Sequence, residues 1–434
     1  MSRQYPSGIS VHAANVFWTN GIGNWDNPAN WNTGTNPAPV DAAFINNGGT
    51  AVIDSLQAIT TQFVILGATN GDTGNLSMTG GSLTTSSDIR IGNNVTVTGV
   101  GTVGGTGLID QSGGAITLTG GNVNIGFGDT AVGTYNISGG SLLVNVGGIL
   151  AVGNRGSGIV NQTGGSIYVR NTAGNAQVNL GRNGAFSTIT TPPNPGKSSG
   201  QYTLSAGDLT VASIRYGNAI GAVGASTNVF NLQGTGLLTV SNIIVINTNA
   251  ANSFNFSGGT LTALSIGMSL TNTGGKLSPA SLSFGGGGVA PTNAAAVVTS
   301  PIGVTTFLGA NGYNQGPGGI LAIDLATNGN DFVSIGTNGA AILAGTISLT
   351  LLNNFDPAPG SIFDILTAGS IANAATVLGQ TPSGFGFDPS IVSGGSGQLL
   401  RLTVVPEPGT FVLFGLSALG FVFRGRLGRK PAIK

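Results

Sequence analysis

The octapeptides YNISGGSL (residues 135–142) and VNQTGGSI (160–167) align without a gap, and their pattern decides the fold class of this chain. Six more segments share the pattern: LSMTGGSL (76–83), IDQSGGAI (109–116), YTLSAGDL (202–209), FNLQGTGL (230–237), FNFSGGTL (254–261) and LTNTGGKL (270–277). In every segment the first position is apolar and the second is polar. Because successive side chains of a strand point to opposite faces, this alternation predicts β-strands.

A second strand-like segment follows in most repeats. These segments are IRIG (89–92), VNIG (123–126), LAVG (150–153), VNLG (178–181), IRYG (214–217) and LSIG (264–267). Units with a constant strand core and connections of variable length are typical of solenoids, in which each unit buries its apolar face against its neighbours. The pattern predicts an all-β protein built on a parallel β-helix. Eight rungs at about 4.8 Å each would span roughly 40 Å.

Asparagine recurs at the second position of the octapeptides, as Asn136, Asn161, Asn231 and Asn255. Stacked rungs would place these amides one above another along the outside of the solenoid. We therefore expect an amide ladder in which each side chain bonds to the next rung.

All three tryptophans lie in one segment, FWTNGIGNWDNPANW (17–31). Trp18, Trp25 and Trp31 can form the bulky cap that the first rung of a solenoid needs. They can also make a carbohydrate contact by stacking on sugar rings. This segment resembles the N-terminal region of exported bacterial β-helix proteins of the autotransporter-associated repeat type.

Residues 320–367 contain several alternating segments separated by Gly, Asn and Pro. This pattern favours a small antiparallel β module. The stretch GTISLTLLNNFDPAPGSIFDILTA (345–368) resembles the terminal β region of autotransporter-associated repeat proteins. The solenoid is therefore expected to end before this module.

Charge is scarce: only 6% of the residues are Asp, Glu, Lys or Arg, with 14 bases against 14 acids. Nucleic-acid binding needs clustered cations, so it is not expected. There is no cysteine, the only histidine is His12 and the only glutamate is Glu407. Zinc sites with histidine or cysteine ligands, a Ser-His-Asp triad and a paired-glutamate glycosidase are thereby excluded. We expect no enzyme activity, no cofactor and no metal site.

Some weak signals for chemistry remain. Asp88 with Arg90, or Asp208 with Arg215, can supply groups for a polysaccharide lyase, because alternate residues of a strand share a face. Each pair can equally be solvated charges beside a turn. The segment NGND (328–331) favours a hairpin over a calcium site. The motif matches GKSSG (196–200) and GVGTVG (99–104) are expected by chance in a chain with 76 glycines.

The two ends of the chain carry transport signals. Residues 1–13 end in Val11-His12-Ala13, a small-residue pattern like a cleavage site, and we interpret them as a leader whose apolar part is missing. Near the other end, Pro406-Glu407-Pro408 precedes an uncharged apolar run. A cluster of four basic residues follows, Arg424, Arg426, Arg429 and Lys430, and Lys434 ends the sequence. A helix of about fourteen residues covers only about 20 Å, which makes a short transmembrane span with its basic end in the cytoplasm.

This combination of signature, apolar helix and basic cluster resembles the PEP-CTERM sorting signal of Gram-negative bacteria. The resemblance implies handling by an exosortase-type membrane protease and a transient anchor in the inner membrane. It also implies a destination at the cell surface or outside the cell, in association with exopolysaccharide.

The expected organisation is a leader (1–13), a Trp-rich cap (14–70), solenoid repeats (71–284), a Gly/Ala-rich linker (285–310), an antiparallel module (311–403) and the sorting signal (404–434). We expect a structural or adhesive protein whose partners are the exosortase, polysaccharide, the inner membrane and other copies of itself. The alternative is a β-helix polysaccharide lyase or hydrolase.

Overall fold

The structure is a computed structural model. It describes residues 13–406 except 69–70, 95–103, 129, 146–147, 172–174, 183–197, 218–226, 247, 249, 280, 284–296, 301 and 396. The described residues form 38 strands and two 3-10 turns, Pro28–Asn30 and Leu352–Asn354. The all-β prediction is confirmed.

The first nineteen strands are β1 (Asn15–Phe17), β2 (Ile22–Asn24), β3 (Ala42–Ile45), β4 (Thr50–Ile53), β5 (Ala58–Thr61), β6 (Phe63–Leu66), β7 (Thr73–Met78), β8 (Ser82–Thr85), β9 (Ile89–Asn93), β10 (Thr106–Gln111), β11 (Ala115–Leu118), β12 (Val123–Phe127), β13 (Val132–Ile137), β14 (Ser141–Val144), β15 (Ile149–Asn154), β16 (Ser157–Val169), β17 (Gln177–Arg182), β18 (Ser199–Tyr216) and β19 (Thr227–Leu232).

The remaining strands are β20 (Leu237–Val245), β21 (Ala251–Phe256), β22 (Thr260–Ile266), β23 (Leu270–Asn272), β24 (Lys276–Leu277), β25 (Ser281–Ser283), β26 (Val297–Ser300), β27 (Val304–Phe307), β28 (Tyr313–Gln315), β29 (Ile320–Ala326), β30 (Gly329–Asn330), β31 (Phe332–Ile335), β32 (Ala340–Leu343), β33 (Thr346–Leu351), β34 (Ile362–Ala368), β35 (Ser370–Asn373), β36 (Thr376–Leu378), β37 (Phe385–Gly394) and β38 (Gly397–Pro406).

Parallel pairing arranges the strands in three columns, which we call faces A, B and C. Face A contains thirteen described strands and runs from β1 through β3, β6 and β9 to β34. Face B runs from β2 to β35. Face C runs from β5 to β36. This long parallel arrangement is consistent with a β-solenoid of roughly 60 Å, with three strands to each coil instead of the two recognised in the sequence.

The core runs along the inside of the three faces. The apolar first positions of all eight octapeptides are buried: Leu76, Ile109, Tyr135, Val160, Tyr202, Phe230, Phe254 and Leu270. Neighbouring rings stack along face B, with centroids 5.0 Å apart for Tyr202 and Phe230 and 5.1 Å apart for Phe230 and Phe254. Each coil therefore covers the apolar side chains of the next, as nearest-neighbour stacking requires.

Glycine makes the turn from face B to face C. Gly140 has φ +76°, a left-handed conformation, and a Cβ built there would lie 2.3 Å from the carbonyl oxygen of Gly114 in the coil before it. Only glycine fits this turn without strain or a shift of the stacked backbone. The glycine pair in the octapeptide is explained by this close stacking of turns.

Buried amides support the same turns from inside. Gln111 is buried and donates from Nε2 to the carbonyl oxygens of Gly114 (3.2 Å) and Ser141 (3.0 Å), and its Oε1 accepts from the hydroxyl of Tyr135. In a later coil Tyr202 donates to Gln162 at 2.5 Å. Burial raises the pKa of both tyrosine hydroxyls well above their ordinary value, so both remain donors.

The structure corrects the position of the antiparallel module. Apart from β30, strands β27 to β36 continue the three parallel columns through residues 304–378. Antiparallel pairing occurs in the β25–β26 pair, in the β29–β30 hairpin and between β38 and both β34 and β37. The hairpin expected at residues 328–331 is confirmed, because Leu325 faces Asn330 and Ala326 faces Gly329.

The Trp-rich region is also part of the parallel columns, since β1 pairs with β3 and β2 with β4. The leader residues 1–12 and the apolar run after Pro406 lie outside the described residues. Within the part of the chain that is described, no helix has the length and apolar character needed to cross a membrane.

Candidate functional site

Two columns of polar side chains run along the outer corner between faces B and C. The first column comes from the second position of the octapeptides and contains Ser77, Asp110, Asn136 and Asn161. The second, from the fourth position, contains the exposed Ser112, Ser138 and Thr163. The third position of the octapeptide lies between the two columns, and its side chain points into the core, as the buried Gln111 and Ile137 show.

The first column is held together by its own hydrogen bonds. Asn136 Nδ2 donates to Asp110 Oδ1 at 2.7 Å, and Asn161 Nδ2 donates to Asn136 Oδ1 at 2.9 Å. Farther along, Asn255 donates to Asn231 Oδ1 at 2.8 Å and Asn231 to Thr203 Oγ1 at 3.1 Å. The predicted amide ladder is confirmed in these coils. Every amide donates toward the N-terminal end, so the first ladder ends on the carboxylate of Asp110.

The two columns enclose a groove of about 410 Å³, which we call the corner groove. It extends over the four rungs from Ser77 to Asn161 and is lined by both columns together with Gln111 and Ile137. Asp110 is the one charged side chain in its lining. The groove therefore offers hydroxyls, amides and one carboxylate on a rigid backbone, an arrangement suited to binding and without a nucleophile–base pair.

A sequence signal for the second column, which was not among the predicted site residues, is present in the octapeptides. The fourth position of the octapeptide is Ser or Thr in seven of the eight segments. Because this position comes directly before the glycine turn and two residues after the ladder position, its hydroxyl forms a second outward column beside the ladder.

The three tryptophans lie in the interior. Trp18, Trp25 and Trp31 are only 2%, 0% and 2% exposed, and Trp31 packs edge-on against both others with ring centroids 5.0 Å apart. Trp31 Nε1 donates to the carbonyl oxygen of Trp25 at 2.8 Å. These rings form the packed interior of the first coils. A sugar has no ring face to stack on here, so the carbohydrate contact proposed for them does not fit this structure.

The charged residues considered for lyase chemistry make structural contacts. Arg90 forms an ion pair with Asp88 at 3.1 Å, and its guanidinium lies 4.4 Å from the centroid of the Phe127 ring. Asp88 also accepts from the backbone N–H of Asn122 at 2.9 Å. Ser166 Oγ lies 3.4 Å from Asp208 Oδ2. The bond from Asn122 to Asp88 and the bond from Ser166 to Asp208 each join neighbouring coils of the solenoid.

Ser198, the serine at the centre of the GKSSG match, is fully buried, and its hydroxyl donates to the carbonyl oxygen of Gly153 at 2.6 Å. Its environment is that of a structural hydroxyl. The GVGTVG match falls largely on residues 95–103, outside the described part of the chain.

The sorting signal begins inside the fold. Pro406 is the last residue of β38 and faces Phe385 of β37, whereas Glu407, Pro408 and the four basic residues lie outside the described residues. Two residues earlier, Val404 is 1% exposed and its backbone bonds to Ser361 (2.9 Å) and Gly360 (2.8 Å).

Fold and site together define an all-β protein with a long parallel sheet and outer columns of mainly uncharged polar side chains. A model of the PEP-CTERM protein-sorting motif matches residues 404–427. No curated protein matches the chain. The motif indicates an exported protein that an exosortase processes, with a membrane-anchored intermediate.

Proposed function

We propose that this chain is a structural or adhesive protein of the cell surface or extracellular matrix that associates with exopolysaccharide. Its coils are of the autotransporter-associated repeat type. The observation that carries the proposal is the PEP-CTERM match at residues 404–427, which begins within β38, the last described strand of the fold. A long, repetitive fold joined to a sorting signal suits a protein that acts outside the cell through contacts along its surface.

The chemistry of that surface supports the proposal. With charged residues at 6%, the outside of the solenoid presents mainly Thr, Ser, Asn and Gly. Neutral hydrogen-bonding groups bind hydroxyl-rich polymers without the salt dependence of ionic contacts. The ion pair of Arg90 and the buried hydroxyl of Ser198 favour a structural role over the lyase or hydrolase alternative.

Cell fractionation tests the proposal. We expect antibody to label intact cells, and we expect the protein to co-precipitate with extracellular polysaccharide in both low and high salt. Recovery of the protein only from the cytoplasm, or from medium in a form separable from polysaccharide, would contradict it. Incubation of the purified protein with the same polysaccharide should release neither unsaturated nor reducing sugars; release of either would support the enzymatic alternative.

A further inference from the structure

The corner groove has the properties of a binding site for a chain-like ligand. It crosses four rungs, from Ser77 to Asn161, and so extends over roughly 14 Å. Rigid parallel strands set the spacing of its polar groups. The ladder bonds hold Asn136 and Asn161 in one orientation in the absence of any ligand, which lowers the entropic cost of binding.

Its lining discriminates between classes of ligand. Nucleic acids and acidic polymers require basic side chains, but the one charged group here is the carboxylate of Asp110, which would repel them. Protein interfaces rely on aromatic, Met or Arg anchors, and the lining contains none of these. A single carboxylate also supplies little of the negative charge that tight divalent cation sites concentrate.

The remaining class is a neutral polymer that both donates and accepts hydrogen bonds. The exposed hydroxyls of Ser112, Ser138 and Thr163 can do both, and the amides opposite them can as well. We propose that the corner groove binds a strand of uncharged polysaccharide lying along the solenoid axis. This inference rests on the proposed function and assigns its polysaccharide contact to one site on the molecule.

The test uses full-length protein in non-ionic detergent and the extracellular polysaccharide of the producing bacterium, separated by anion exchange into neutral and acidic fractions. Affinity electrophoresis in native gels containing either fraction measures binding. We expect the neutral fraction to retard the wild-type protein and the acidic fraction to leave its migration unchanged.

Ser138→Leu is the diagnostic variant, because it removes an exposed hydroxyl and fills part of the groove. We expect its apparent Kd for the neutral fraction to rise about tenfold. The matched control is Ser257→Leu, which changes the same octapeptide position at an exposed site outside the groove. The control should bind like the wild type, and equal unfolding midpoints for the two variants would show that folding is preserved.

Four results would overturn the site assignment: binding of Ser138→Leu at wild-type strength, equal losses in both variants, retardation by the acidic fraction alone, or retardation by neither fraction. If the wild type binds and Ser138→Leu binds equally well, the polysaccharide role stands while the corner groove is not its site. If neither fraction retards the wild type, the groove assignment fails. Fractionation of cells, described above, then decides separately whether the protein is a surface or matrix component.

Discussion

Asn136 shows how a single outward side chain can join three coils. Its amide nitrogen donates to Asp110 in the coil before, and its amide oxygen accepts from Asn161 in the coil after. Because the donors all point in one direction, the ladder needs an acceptor at its N-terminal end, and the carboxylate of Asp110 provides it. The ladder therefore stabilises the stack and also fixes the polar groups that face the corner groove.

Replacing Asn136 and Asn161 together by Leu should lower the unfolding midpoint. Both ladder bonds disappear, and each is worth about 1 kcal/mol net. Thermal unfolding followed by circular dichroism measures the effect. Thr117→Leu, an outward change on face C, is the control and should leave the midpoint nearly unchanged. An unchanged midpoint in the double variant would mean that the ladder does not contribute to stability.

Sequence alone predicted this ladder because its members occupy an outward position with strict alternation around it. The inward amides could not be predicted in the same way. Gln111, Gln162 and Gln315 occupy positions at which the alternation demands an apolar side chain. Their partners are turn carbonyls and tyrosine hydroxyls, some of which lie in neighbouring coils, such as Tyr135 for Gln111 and Tyr202 for Gln162. Only the stacking of coils brings these groups together.

At the scale of strands, alternation predicts that a segment is a strand but not the direction in which it pairs. Strands β27 to β36 are short and are joined by turns that contain Gly or Asn, a pattern as typical of an antiparallel meander as of a parallel solenoid. In the structure they continue faces A, B and C because each has an apolar inward side that matches the preceding coil, as Leu321 does above Leu277. The antiparallel pairing expected for residues 311–403 is therefore wrong for the strands between residues 313 and 378, apart from the β29–β30 hairpin and the pairing of β34 with β38.

Asp331 connects three segments of this later part of the solenoid. It is buried, and its carboxylate accepts from the backbone N–H of Gly303 at 2.8 Å and of Asp324 at 2.9 Å. Burial raises the pKa of Asp331 to about 7, the nearby charge of Asp324 adds to that rise, and the two backbone donors oppose it. Burial also raises the pKa of Asp324, whereas Thr350 and Lys276 lower it.

The raised pKa predicts a loss of stability with rising pH. Between about pH 4 and pH 7 the folded protein keeps a proton on Asp331 that the unfolded chain releases. The contribution of Asp331 to the free energy of unfolding is thus complete below about pH 4 and is lost as pH rises through 7. The loss has a slope of roughly 1.4 kcal/mol per pH unit at its steepest. Other carboxylates change the absolute curve, so the measured quantity is the difference in unfolding midpoint between the wild type and Asp331→Asn.

As pH rises from 4 to 7, the unfolding midpoint of the wild type should fall relative to that of Asp331→Asn, because the asparagine cannot ionise. Asp356→Asn is a useful comparison. The hydrogen bond from the Ser383 hydroxyl is the main cause that lowers the pKa of the exposed Asp356. The contribution of Asp356 to stability is therefore lost as pH falls, which is the opposite direction. A wild-type curve parallel to that of Asp331→Asn throughout this range would show that Asp331 does not hold a proton in the folded state.

At the scale of the whole molecule, the fold and the sorting signal overlap. The matched motif begins at residue 404, and residues 404–406 belong to β38. β38 pairs with β34 on one side and β37 on the other, and it closes the C-terminal end of face A. Nothing in the sequence indicated this overlap, because the valines before Pro406 are equally suited to a linker or to a strand.

The overlap predicts where the mature protein ends. A cut before residue 404 would remove Val404, and cuts farther upstream would also remove Leu402 and Leu400, all of which are buried. Each such side chain contributes about 1.5–3 kcal/mol through burial, so their loss would open the end of the solenoid. We therefore expect the released protein to retain Val404 and to end before the apolar run that starts near residue 410. Intact mass and C-terminal peptide sequencing of protein from the medium measure this terminus, with protein from the membrane fraction as the uncut control. A released form ending before residue 404 would show that β38 leaves the sheet during processing.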